Sequence, residues 1–408
     1  MSQVADRSTR LQHLLSKRAA DLPSKPRLDA TQAANHISFT YGFPDPTSLP
    51  SDQVAEATVR ALKARGQEAL QYGDAKGYAG LIDELTKKLN RDQGLNASRE
   101  NMLLTAGGSQ ALALVLDALV DWGDTVITEE PTWMGAVRAF KNVGAQPVAV
   151  PVDDQGMDAD ALEEVLKDLK AKGITPKLIY IIVNFQNPAG VTTTLERRKK
   201  IVALAQEYGT MILEDDAYYD LRFEGEFLPP LYALDDSGCV LYLGTLSKIM
   251  GAGMRIGWLV GPADLIMRLA VLKIDGGTNV FGSHVAAEWL PEHLDNHIKQ
   301  LREIYHRRRD LMIAALEKHM PKGVTWSNPE GGFFIWMTLP EGLDGEVLGT
   351  QAKERGVVVL PGGGCFVSDK GANTVRLSYS YAQDDQIEPG IKTLAEIIEG
   401  DLLETGRA

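Results

Sequence analysis

The chain has 408 residues, 44% of them hydrophobic and 24% charged, with a formal net charge of -13. That length exceeds one simple core and implies two subdomains. The acidic balance argues against a nucleic-acid partner, and no apolar run is long enough to span a bilayer.

Taken in order, Met1 to Leu22 lacks the apolar stretch of a secretory signal. Leu11, Leu14, Leu15, Ala19 and Leu22 have helical spacing and predict an amphipathic helix, while Asp6 and Asp21 interrupt the basic face that a transit peptide would carry. Pro23 to Pro26 breaks regular structure. His36 to Phe39 is a short apolar run leading to the turn-rich Tyr41-Gly42-Phe43-Pro44-Asp45-Pro46. Val54 to Arg65 and Tyr78 to Arg91 read as helices around the glycine-punctuated loop Gln71 to Gly77.

From Asn101 strands and helices alternate. Strands are expected at Met102–Thr105, Thr125–Thr128, Gln146–Val150, Leu178–Val183, Met211–Glu214, Val240–Leu243 and Ile256–Val260. Helices are expected at Ser109–Val120, Thr132–Asn142, Asp158–Lys172 and Leu195–Tyr208. This rhythm predicts an α/β fold, a mostly parallel sheet with helices on both faces, with ligands beyond the strands' carboxyl ends. After about Gly282 the rhythm changes to a long helix from about Leu290 to His319, short strands and a final helix to about Glu399, a smaller α+β domain. The division expected is a large domain over 45–285 and a small one over 1–44 and 286–408. Two cysteines without paired spacing suit a reducing cytoplasm. The seven scattered histidines, with no HExxH and no CxxC, give no metal site.

Several loops at strand ends carry chemistry. In Thr245-Leu-Ser247-Lys248-Ile-Met-Gly-Ala-Gly-Met-Arg255-Ile-Gly-Trp258 a lysine lies in an apolar setting. Desolvation lowers an amine's pKa, and a neutral amine can form a Schiff base with an aldehyde. Thr245, Ser247 and Arg255 would add donors for a phosphate, and the pair implies pyridoxal 5'-phosphate (PLP). A surface lysine fits the same stretch taken alone. Thr105 to Gln110 joins a strand to a helix through two glycines, an anion site or a tight turn capped by Ser109. Trp133 suits stacking on a flat ring, or a place in the core. In Asn184-Phe-Gln-Asn187-Pro-Ala-Gly190 the Asn187 amide can donate to a phenolate, though Asn-Pro is also ordinary turn chemistry. Glu214-Asp215-Asp216 packs three acids at a strand end, which is costly without a cation such as a pyridinium. Tyr218, three residues on, can reach its phenolic oxygen; a solvated acidic loop reads equally. Arg376 in the apolar strand Thr374 to Tyr379 needs a partner, either a substrate α-carboxylate or an internal acid.

These stretches, with Leu70-Gln-Tyr72-Gly-Asp74 and Pro329-Glu-Gly-Gly332, resemble the class I/II aminotransferases of PLP fold type I, most of all the 2-aminoadipate aminotransferase branch, over about Ile37 to Glu399. The resemblance implies that Lys248 is the Schiff-base lysine and proton shuttle. It implies that Asp215 holds the pyridinium, Tyr218 and Asn187 hold the phenolic oxygen, and Trp133 stacks on the ring. Ser109, Gln110, Thr245, Ser247 and Arg255 would hold the phosphate, Arg376 the α-carboxylate, and Gly42 would line the substrate pocket. Tyr72 would reach the neighbouring subunit's phosphate, which implies a homodimer. Trp133 replaces the usual tyrosine or phenylalanine, Val183 the usual proline, and Gly362-Gly-Gly-Cys365 is richer in glycine, which would loosen a pocket wall. Phe281-Gly-Ser-His284 also departs from the pattern, near the dimer interface. Arg27, in Pro23-Ser-Lys-Pro-Arg27, reads first as a surface arginine; the alternative the resemblance offers is the arginine that the branch uses for an acidic side chain.

The expected activity is transfer of an amino group from an L-amino acid to a 2-oxo acid, 2-oxoglutarate being the acceptor implied. A PLP-dependent lyase, decarboxylase or oxidase remains open on the same scaffold. A non-catalytic PLP-binding regulator would carry a DNA-binding domain before the fold, where only about 36 residues stand. Gly251-Ala-Gly253 and Gly362-Gly-Gly364 do not open a helix after a first strand, which excludes a dinucleotide-binding dehydrogenase.

Overall fold

The computed structural model describes residues 12–16, 19 and 36–404. The helix expected over Met1 to Leu22 lies outside the described residues apart from one 3-10 turn at Gln12–Leu14. Arg27 and the Pro23–Pro26 break lie outside them too.

The main sheet has eight strands: β2 (Met102–Thr105), β3 (Thr125–Glu130), β4 (Gln146–Asp153), β5 (Gly156–Met157), β6 (Leu178–Ile181), β7 (Met211–Asp215), β8 (Val240–Thr245) and β9 (Gly257–Val260); β1 (Ile37–Ser38) lies outside it. Their order is β2-β9-β8-β7-β6-β3-β4-β5. The β8-β7-β6-β3-β4 run is parallel, while β9 is antiparallel to β8 and β2, and β5 to β4. Leu178-Ile-Tyr-Ile181 is apolar throughout because a central parallel strand is buried on both faces. Leu178 and Tyr180 pack on one side with Phe140, Leu112 and Leu269; Ile179 and Ile181 pack on the other with Leu162, Leu166 and Ile201. Helices therefore cover both faces.

The helices are α1 (Ser51–Ala69), α2 (Ala79–Gln93), α3 (Gly108–Leu119), α4 (Met134–Val143), α5 (Ala159–Ala171), α6 (Leu195–Tyr208), the single turn α7 (Leu231–Leu234), α8 (Ala263–Leu272), α9 (Val280–His319), α10 (Gly345–Glu354) and α11 (Asp384–Glu404). The short elements α7, β5 and β10 (Thr325–Trp326) were not among those expected. Helix α8 was not foreseen, and α9 starts ten residues before Leu290. Gly282, Ser283 and Pro291 mask that start, but Asn279 caps it, its side chain accepting from Gly282 N at 3.1 Å.

A second sheet, β10-β11-β14-β13, is antiparallel and uses Thr325–Trp326, Phe334–Thr338, Thr374–Ser378 and Leu360–Pro361. In it Arg376 stands between Trp336 and Leu360. β1 pairs in parallel with β12 (Val357–Val358). Just after β1, the buried Asp45 accepts from Arg308 of α9 at 3.0 Å, which ties this segment to the long helix.

Candidate active site

The parallel register brings the carboxyl ends of β3, β6, β7 and β8 to one edge of the sheet. Thr105 and Thr245 both pair with Gly257, so the ends of β2 and β8 meet there too.

Lys248 sits in a π-turn, Ser247–Gly251, directly after β8. Such turns are rare and concentrate at functional sites. Its Nζ donates to the Gly42 carbonyl at 2.8 Å and lies 5.8 Å from the ring centroids of Tyr218 and Phe333. Burial, then the positive charge of Arg376, pulls its pKa from 10.5 to about 8 against the pull of Asp215.

The three acids at the end of β7 separate by strand alternation. Glu214 accepts the Leu231 and Tyr232 amides at 2.8 and 3.0 Å. Asp216 accepts from Asn184 Nδ2 at 3.0 Å and Tyr242 Oη at 3.3 Å. The charge of the buried Arg198 also acts on Glu214 and Asp216, so these two acids have a cation within the protein. The Asp215 carboxylate accepts from Tyr180 Oη at 2.7 Å, and burial raises its pKa to about 6.

Tyr218 is buried, edge-on to Phe333 and Phe334, and burial raises its hydroxyl's pKa while Arg376 and an Asn187 hydrogen bond oppose. Asn187 Oδ1 accepts from Arg376 Nη1 at 2.9 Å, and Arg376 Nη2 donates to the Thr40 carbonyl at 2.7 Å. The guanidinium stands 4.0 Å from the Phe334 ring centroid, and its buried Nε has no partner. Among the described residues no carboxylate pairs with Arg376, so the internal salt bridge considered for it is not formed.

At the other end of the edge, Thr245 Oγ1 lies 2.9 Å from Ser247 Oγ and accepts the Ser247 amide at 3.1 Å. Arg255, with φ of 48°, donates from Nη2 to the Ala106 carbonyl at 2.8 Å. Helix α3 starts beside it; the Gln110 and Ala111 amides turn back to the Gly107 carbonyl, while those of Gly108 and Ser109 have no partner within the helix. A Cβ on Gly107 would stand 2.7 Å from Arg255 Nη2, and one on Gly257 2.8 Å from the Gly107 carbonyl carbon. Both glycines therefore keep this cradle open. Ser109 is exposed in that first turn, and Gln110 Oε1 accepts the Ala106 amide at 2.6 Å.

The donor set fits PLP. A buried amine near neutrality stands by a buried acid for a ring nitrogen, phenol and amide groups for a ring oxygen, and an open cationic cradle for a phosphate. Trp133 is half-buried ahead of α4, its ring lying against Gly135. Tyr72 is not brought to Lys248; it projects outward, 85% exposed, beside Gly276. In the glycine-rich run, a Cβ on Gly362 would run into Thr374 and Trp336, while one on Gly363 would meet open space.

Two contributors escaped the sequence reading. Tyr180 reads as core in an aliphatic strand, and the buried Glu129 lies at a strand end with no role given to it. Glu129 Oε2 accepts from Ile182 N at 2.9 Å and Gln186 Nε2 at 3.2 Å, which pins the turn carrying Asn187. A lone hydroxyl in an apolar strand neighbouring the acidic one was the available signal.

The sequence profile of the family aminotransferase class I and II matches residues 37–394. The aromatic-amino-acid aminotransferase 1 of Thermococcus litoralis is 39% identical over 378 residues, 92% of this chain and 91% of that protein. The crystal structure of Pyrococcus horikoshii kynurenine aminotransferase in complex with PMP superposes with a TM-score of 0.93 at 39% identity, over 97% of this chain and 99% of that one. LysN, the α-aminoadipate aminotransferase of Thermus thermophilus, solved with N-(5'-phosphopyridoxyl)-L-leucine, gives 0.88 at 34% identity over 96% and 98%. The chain therefore belongs to the class I and II aminotransferase family and is a PLP-dependent amino-acid transaminase.

Proposed function

We propose that the enzyme moves the amino group of an L-amino acid to 2-oxoglutarate, with Lys248 as catalytic acid/base and Arg376 as the α-carboxylate fork. The observation that carries this is the pair of buried cations, Lys248 and Arg376, without a carboxylate partner among the described residues. A buried unpaired charge is costly, and a substrate carboxylate removes that cost at Arg376.

When bound, PLP supplies the aldehyde that receives the amino group and the ring that draws electrons from the Cα–H bond. Asp215 would be the anion for the ring nitrogen, Tyr218 and Asn187 would donate to the phenolic oxygen, and Trp133 would supply an aromatic face for the ring. Ser109, Gln110, Thr245, Ser247 and Arg255 would hold the phosphate near the α3 N-terminus. Lys248 Nζ, with a pKa of about 8, takes the Cα proton and returns it one position along. Gly42, whose carbonyl holds that amine, lines the substrate side. Tyr41 and Phe43 stack at 4.8 Å beside it with Tyr381 edge-on, an aromatic loop suited to hydrophobic or aromatic donors.

Tyr72 serves the site of a second copy in a homodimer. Support comes from the exposed Leu70, Tyr72 and Ile274, gathered where Gly73 N meets the Gly276 carbonyl. The division at 45 and 285 rests on the two sheets, and the pairing of β1 with β12 supports placing the N-terminal segment with the C-terminal domain.

The test is the visible absorption of the holoenzyme mixed with single amino acids and no acceptor. Loss of the yellow form, restored by 2-oxoglutarate, is the expected result. Continuous consumption of amino acid without an acceptor would instead establish a lyase or oxidase.

A further inference from the structure

We propose that Tyr180 is a positioning residue for this reaction: its hydroxyl holds Asp215 as an ionised, correctly turned acceptor for the cofactor's ring nitrogen. The inference rests on the role given to Asp215 under the proposed function.

The geometry is built into the sheet. Tyr180 pairs with Leu213 across β6 and β7, and Asp215, two residues on, projects from the same face. The Tyr180 side chain is fully buried, and its ring meets Phe140 edge-on at 5.8 Å, which leaves the hydroxyl little freedom. The hydroxyl reaches Asp215 Oδ2 at 2.7 Å. Of the hydrogen bonds between described residues, this is the one that the Asp215 side chain makes. Oδ1 keeps its lone pairs for a cation.

Chemistry gives the bond a direction. A hydrogen bond to a carboxylate favours its charged form. Glu129, Asp216, Lys248, Tyr180 and Tyr218 all act electrostatically on or with Asp215. Burial opposes its ionisation, and the hydroxyl of Tyr180 and the charge of Lys248 favour it. Burial holds the Tyr180 hydroxyl well above its usual pKa, so it stays a donor across the working range. Without that donor Asp215 becomes the stronger base. It would then draw the proton off the ring nitrogen, and the ring would be a poorer electron sink.

The test is Tyr180→Phe, which keeps the ring against Phe140. In the cofactor-free protein the Asp215 carboxyl, followed by isotope-edited infrared or carbon NMR, should protonate about one pH unit higher than in the wild type. In the holoenzyme, nitrogen NMR of ring-labelled PLP should report loss of ring-nitrogen protonation. kcat should fall about 10- to 100-fold, with KM for the amino donor changed less than threefold. An unchanged carboxyl titration and ring-nitrogen signal would reduce Tyr180 to a core tyrosine and overturn the inference. If the phenylalanine variant misfolds, 3-fluorotyrosine at 180 provides the second measurement. As a stronger donor it should move the Asp215 titration to lower pH, and no movement overturns the inference. Asp215→Asn separates the two levels. Wild-type turnover in that variant would overturn the role of Asp215 and this inference together. Lost turnover there, beside a Tyr180→Phe titration like the wild type, overturns the inference alone.

Discussion

Replacing Arg376 by methionine removes a cation of nearly the same volume from a buried strand. The α-carboxylate of an amino donor would make two charge-assisted hydrogen bonds to the guanidinium, each worth roughly 1.5–3 kcal/mol. Their loss, about 3–6 kcal/mol, corresponds to a fall in kcat/KM of roughly 10²- to 10⁴-fold. The fall should be the same for every donor, because the fork reads the group all amino acids share. Arg376→Lys keeps the charge but not the fork and should recover only part of it. A second consequence follows from electrostatics. Arg376 is, after burial, the largest influence lowering the Lys248 pKa, so its removal must move that pKa upward from about 8. The assays are steady-state kinetics on three donors of different side chain, and titration of the Lys248 amine in cofactor-free protein by carbon NMR after reductive methylation. Unfolding midpoints serve as the control, since the change strips Asn187 Oδ1 and the Thr40 carbonyl of a donor. A loss below tenfold on all donors, with a stable fold, would refute the assignment of Arg376 to the carboxylate.

Lys248→Ala should cut turnover by at least about 10²–10⁴-fold, the span of a general acid/base, while single-turnover mixing still shows substrate binding; near-wild-type turnover would remove Lys248 from the mechanism. Gly107→Ala should weaken PLP binding about tenfold or more, read by dialysis and fluorescence, because φ there is 82° and the new methyl would stand 2.7 Å from Arg255 Nη2. Burial raises the Glu129 pKa from 4.5 to about 8. Its contribution to stability is therefore full below about pH 4.5 and lost as pH rises to 8, on the order of a few kcal/mol. Glu129→Gln should flatten that slope in denaturant unfolding measured between these pH values, and an unchanged slope would show that Glu129 ionises normally.

The βαβ order, the strand positions and most of the site were legible in the chain. Lys248 and Arg376 stand out because each is a charged group in an otherwise apolar stretch, and Asp215 and Asn187 because they lie in polar clusters at strand ends, where burial demands partners. What was illegible depends on pairing between strands. The separate fates of Glu214 and Asp216 are decided by the Leu231 amide and by Asn184, seventeen and thirty-two residues away in sequence. Tyr180 looks like any core aromatic until its register against β7 is known. The early start of α9 was hidden because Gly282 and Pro291 are poor helix formers, and tertiary packing overrode local preference.

The parallel register of β6 and β7 also says where this chain can change length during evolution. Side chains alternate with a period of two, so one residue gained or lost within Met211–Asp215 would turn Glu214 or Asp216 toward the site and send Asp215 into the opposite layer. The same event at the Gly209-Thr210 turn, outside the strand, would leave every facing intact. Insertions and deletions among relatives should therefore collect at such turns and avoid the strand interiors, a pattern that an alignment of natural sequences can read without any enzyme being purified.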